Sequence, residues 1–243
     1  MATSAVDSEM SKAEEARTSS HLRLLLLLAI NNADKTPKPA AFEQRLAMMW
    51  AFANDLRQIR SVGRDELAID IALSTKPYFH EKSAAIDSAS FYKAEEEGQK
   101  KMEQVILAGY DTLIRILNPK YYGTVAAPGG QVGAETPMQQ ALNPFFSRAR
   151  LRVTMRTDDE WGSGAEQTAY LEDLLHDGGL SRVGGSKEWG DRIELVMGRK
   201  EGEDIVSSTY ARDAAKKQDW ERLDKQVTSN VRNWIEQEKL YAE

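Results

Sequence analysis

The sequence predicts a mainly α-helical protein. It has a helical bundle-like N-terminal part and a C-terminal part of helices with a small two-stranded β ribbon. Three observations lead there. Apolar residues recur at three- and four-residue steps over long stretches, as in Met102, Val105, Ile106, Gly109, Tyr110, Leu113 and Leu117. Two segments, Ser11 to Glu14 and Ser163 to Glu166, have the form of a capping box at a helix start. Alternation of period two is read as strand in only two short places, 148–156 and 192–197.

Taken in order, residues 1–10 read as a loose tail. A helix is expected from Lys12 to Ile30, ending near Asn31-Asn32, with Pro37 and Pro39 breaking the chain. Pro39 suits the first turn of a second helix carrying Phe42, Leu46, Met49, Trp50, Leu56 and Ile59, with Gly63 as its stop. Residues 65–74 alternate like a strand at Leu67, Ile69, Ile71 and Leu73, yet are short and hold two alanines, so helix is preferred. A long helix is expected from Ala89 to Leu117, ended by Asn118-Pro119.

Residues 119–136 hold Gly123, Pro128, Gly129, Gly130 and Gly133 without periodicity, the mark of a linker or a functional loop. The expected organisation is therefore an N-terminal helical part over 11–118, this loop, and an α+β part over 137–243, with one merged domain as the alternative. Thr136-Pro137 opens a short helix. A strand follows at 148–156. The helix opened by Ser163 carries Tyr170, Leu171, Leu174 and Leu175 and stops at Gly178-Gly179; a second strand spans Arg192 to Met197. The chain closes with a helical stripe of Trp220, Leu223, Val227, Val231 and Trp234.

Composition bounds the chemistry. The chain of 243 residues has no cysteine, which excludes disulfides, thiolate catalysis and cysteine-ligated metals within it. The apolar run Leu24 to Ile30 is shorter than the ~20 residues a membrane span needs. The acidic residues Asp7, Glu9, Glu14 and Glu15 ahead of it make a poor secretory leader. These features lean towards an intracellular, cytoplasmic setting.

Net charge is −6, but residues 112–157 set six cations against Glu135 alone and carry +5, leaving −11 elsewhere. Within that region Arg148, Arg150, Arg152 and Arg156 occupy alternate positions, ~6.6 Å apart on a strand, near the phosphate spacing of an extended nucleic acid. Phe145 and Phe146, with Tyr121 and Tyr122 upstream and Lys120 beside them, are candidates for base stacking and phosphate contact. The opposing reading pairs the arginines with the chain's own acids and buries the aromatics in a core.

His21, His80 and His176 lack metal-ligand spacing, so no metal is expected. The glycine runs 128–133 and 183–187 lack phosphate-loop spacing, and no motif requires a cofactor or fixes a reaction. The sequence therefore favours a non-enzymatic interaction or assembly protein, self-associating through acidic and basic surfaces or binding a protein partner. An RNA- or anion-binding, nucleocapsid-like protein, taking single-stranded nucleic acid or another polyanion on the arginine face, is the second reading. An enzyme with an unrecognised site is the third.

Overall fold

The computed structural model describes residues 2–15, 22–30, 40–60, 67–92, 102–123, 135–155, 164–175, 178–197 and 206–241. They form a mixed α/β structure with two parallel sheets, which replaces the expected bundle with a β ribbon. The chain divides into two compact units, one of residues 78–201 and one joining 2–77 to 202–243. The divisions fall at 77/78 and 201/202, and most of the expected linker 119–136 lies outside the described residues.

In the unit that joins the two ends of the chain, helix α1 spans Ala2–Glu15. The stretch expected as a loose tail is thus helical, and Ser11 sits within the helix with its hydroxyl on the Asp7 carbonyl. Strand β1 spans Arg23–Ala29, helix α2 Phe42–Arg60 and strand β2 Ala68–Ser74. Two helical expectations fail here for one reason. β1 and β2 pair in parallel, Leu24 opposite Ile69 and Leu26 opposite Ile71. Short apolar runs suit a buried parallel strand as well as a helix, and only the tertiary partner decides between them.

α2 returns the chain between the strands and packs Ala53 and Leu56 on Leu24, Leu26, Ile69 and Ile71. The C-terminal stripe falls on two helices, α9 (Trp220–Asp224) and α10 (Ser229–Gln237), and α8 (Ser208–Lys216) precedes them. They bury Ala214, Ala215, Leu223, Val231 and Ile235 against Ala51 of α2. Both Asp55 carboxylate oxygens of α2 accept from the Asn230 amide, at 3.2 and 3.1 Å. Asn230 lies in the first turn of α10, whose own cap residue Thr228 makes no side-chain cap bond. A buried carboxylate from a distant helix thus satisfies the donor that a local cap ordinarily would.

In the other unit, α3 (Phe79–Ser88) leads to β3 (Gln104–Gly109), α4 (Tyr110–Ile116), α5 (Pro137–Arg148), β4 (Ala149–Thr154), α6 (Gly164–Leu175), α7 (Gly179–Arg182) and β5 (Ile193–Val196). The expected long helix 89–117 is therefore a short turn at Ser90–Tyr92, a strand and a shorter helix. β4 and β5 lie where alternation places strands, but they run parallel, with β3 on the other side of β4.

α5 starts as expected, with Thr136 and Gln139 forming a reciprocal capping box. Its Leu142 and Phe145 pack with Leu113, Leu151, Val153, Leu171 and Leu180 in a fully buried core. The Gly178-Gly179 stop has a steric basis. A Cβ on Gly179 would lie 2.5 Å from Leu174 Cα, and Gly178 has a φ of +79°.

Removing the Asp55 carboxylate leaves the start of α10 uncapped. Asp55→Ala should lower unfolding stability by about 1–3 kcal/mol, and Asp55→Asn by less. Urea unfolding followed by tryptophan fluorescence measures both.

Candidate active site

Each parallel sheet gathers the carboxyl ends of its strands at one edge, where ligands of open α/β proteins bind. In the unit of residues 78–201, β3 ends at Gly109 and passes straight into Tyr110, Asp111 and Thr112 of α4. The Asp111 carboxylate lies back over Gly109, with Oδ1 2.8 Å from where a Cβ would stand. Tyr110 is buried, and its ring meets Tyr170 of α6 edge-on, with centroids 6.4 Å apart. Burial, and secondly the Tyr170 phenol, push the Tyr110 hydroxyl above its ordinary range. Asp111 faces Arg115 one turn on, at 3.8 Å. β4 contributes the half-buried Thr154 at the same edge. β5 ends at Val196, followed by the exposed Met197. This edge offers a carboxylate, hydroxyls and aromatic rings, chemistry suited to a sugar and a heterocycle.

The other unit presents its own edge. Arg45 in the first turns of α2 donates to the Ala29 carbonyl at the end of β1, at 2.8 Å. The Ile30 amide donates to Ser74 at the end of β2, and Thr75 and Lys76 follow, both exposed. In the same unit α8 opens with Ser207, Ser208 and Thr209. Ser207 caps the helix by accepting from the Thr209 amide at 3.2 Å, and its own amide is held by Gln226 at 2.9 Å. Ser208 and Thr209 are exposed there, where the helix dipole favours an anion. A groove of about 840 Å³ lies between α2 and α10, lined by Phe42, Leu46, Trp50 and Trp234, with Glu43 and amide side chains at its rim. It has no cationic lining and does not suit a phosphate.

The residues singled out from sequence do not converge as expected. Arg148 lies in α5, with Nε on the Pro144 carbonyl. Arg150 and Arg152 do share a face of β4, opposite the buried Leu151 and Val153. Both bond Glu194 of β5, at 3.3 and 2.7 Å, and Arg150 also faces Glu103 at 3.7 Å, which Arg192 joins at 2.8 Å. Arg156 lies outside the described residues. Phe145 and Phe146 are in the core, Phe146 stacking on Trp189 at 5.2 Å. Lys120 is exposed, 4.7 Å from the Tyr121 ring centroid.

His21 and His176 also lie outside the described residues. His80 sits between Tyr78 and Tyr122, at centroid distances of 5.6 and 5.7 Å. Burial lowers its pKa, against an opposing pull from Glu81. Among the described residues no three histidines or carboxylates gather as a metal site.

Sequence reading missed Gly109-Tyr110-Asp111, which the helical periodicity absorbed, and Ser207-Ser208-Thr209, which it passed over. Apolar β-branched residues running into Gly-x-Asp was the available signal for the first. A run of small hydroxyl residues before a helix was the signal for the second.

Parallel strands with helical crossovers, and polar groups at the carboxyl edges of the sheets, define a mixed α/β protein of the Rossmann-like kind. No family model and no solved structure matches the chain. It is 31% identical over 213 residues to a Schizosaccharomyces pombe protein named as a nicotinamide mononucleotide adenylyltransferase, a match spanning 88% of this chain and 73% of that relative. The chain belongs to the nicotinamide mononucleotide adenylyltransferase family. This relationship points to an enzyme. It overturns the expectation of a non-enzymatic assembly protein and the nucleocapsid-like, RNA-binding alternative with it.

Two predictions follow from the geometry. Glu194→Ala removes the carboxylate 2.7 Å from the buried Arg152 guanidinium and should cost about 1–2 kcal/mol of unfolding stability, a discounted figure because Glu194 is a third exposed. Burial disfavours the charged form of His80 in the folded protein, so the unfolded chain takes up its proton first as pH falls. Its contribution to stability is complete above 6.5 and declines below it. The urea midpoint should fall from roughly pH 7 to pH 5, and less so in His80→Phe.

Proposed function

We propose that the protein transfers an adenylyl group to nicotinamide mononucleotide. The kinship with the fission-yeast relative carries this reading. A phosphate oxygen of the mononucleotide attacks the α-phosphorus of adenosine triphosphate. The bond from that phosphorus to the β-phosphate oxygen breaks, pyrophosphate leaves, and a dinucleotide with a new phosphoanhydride bond remains.

Such a reaction asks the protein chiefly to position two nucleotides and to neutralise charge. The Asp111 carboxylate and the Thr112 and Thr154 hydroxyls are the groups we assign to ribose and base. The kinship with the fission-yeast relative supports an intracellular, cytoplasmic setting for this enzyme.

Incubation with adenosine triphosphate and nicotinamide mononucleotide should yield the dinucleotide and pyrophosphate in equal amounts, read by chromatography and a pyrophosphate assay. No dinucleotide from the folded protein would refute the proposal. Asp111→Ala should lower kcat/KM roughly ten-fold or more, the scale of one hydrogen bond to a charged group.

A further inference from the structure

We propose that Tyr170 is the aromatic wall against which the heterocyclic ring of a nucleotide substrate lies, at the carboxyl end of β3. The inference rests on the adenylyl-transfer reading and gives that site a specificity-determining residue.

Tyr170 comes from the second turn of α6, the helix that follows β4, and Tyr110 is the first residue of α4, directly after β3. Their rings meet at 77° with centroids 6.4 Å apart. The two are not equivalent. Tyr110 is 7% exposed, whereas Tyr170 is 45% exposed. Tyr110 is therefore the buried support, and Tyr170 presents open ring surface held in place by an edge-to-face contact. A large ring kept half in water at the binding edge of a parallel sheet is not explained by core packing.

The surrounding chemistry selects which end of a nucleotide it meets. Glu166, one turn before Tyr170 on α6, is exposed and repels phosphate, and the adjacent turn carries Asp111 and Thr112, which suit sugar hydroxyls. Ring and ribose fit here, and phosphate does not. Adenine and the nicotinamide ring share the flat π-face that such a wall recognises.

The test uses the whole protein with Tyr170→Ala and Tyr170→Phe. Steady-state kinetics vary each substrate while the other is saturating, calorimetry measures binding of each nucleotide alone, and thermal unfolding is followed in parallel. In Tyr170→Ala the KM and Kd of one substrate should rise about ten-fold, the scale of one base–aromatic stack. kcat should stay within about two-fold and Tm should be unchanged, while Tyr170→Phe keeps wild-type values. The substrate that responds identifies the ring as adenine or nicotinamide.

Unchanged KM and Kd for both substrates in Tyr170→Ala overturn the inference. So does a loss that tracks a fall in Tm. If the wild type binds nucleotides but forms no dinucleotide, adenylyl transfer fails while the binding constants still decide the role of Tyr170. A wild type that binds neither nucleotide overturns both.

Discussion

Parallel strands cannot be joined by a tight turn, and every strand pairing in the described residues is parallel. Each pairing is therefore made across a crossover that includes a helix, as α2 does between β1 and β2. The same constraint aligns all strands of a sheet, so their carboxyl ends collect at one edge. Helix α4 begins directly at that edge, with Tyr110 following the last residue of β3. Gly109-Tyr110-Asp111 is at such a place because β3 must end there, with no help from a local motif.

The basic region takes its meaning from the central position of β4. One face of that strand is core, with Leu151 and Val153 fully buried. The other face carries Arg150 and Arg152 beside Glu194, which the parallel register sets directly opposite Arg152. Glu103, just before β3, and Arg192, just before β5, extend the network across the sheet. Charges that are far apart or opposite in sign along the chain become one chain of ion pairs. Removing a single partner there costs more than the pair contributes, because it weakens the neutralisation of a partly desolvated guanidinium.

The unit built from both chain ends uses a second device. Asp55 in α2 supplies from a distance the cap that Thr228 does not make for α10. A contact spanning 175 residues in sequence thereby ties the last helix to the β1–α2–β2 crossover. This places the helices that bear Ser207-Ser208-Thr209 in the same unit as the β1 and β2 edge.

Local chemistry determined several elements without ambiguity. The Thr136-Pro137 start of α5, the body of α2, the alternating strands β4 and β5, and the glycine stop near 178–179 all follow from residues within a few positions of one another. Their signals are capping, periodicity and allowed φ, which need no distant partner. The sequence also determined that cysteine chemistry is excluded. Only the tertiary structure decided that Leu24–Leu28, Ile69–Leu73 and Val105–Ala108 are strands. An apolar run of that length satisfies its backbone equally well in a helix or in a ladder, and the ladder exists only when a distant strand lies beside it. The same holds for the arginines, whose carboxylates are remote in sequence. It holds also for the pairing of Tyr110 with Tyr170, which no spacing along the chain encodes.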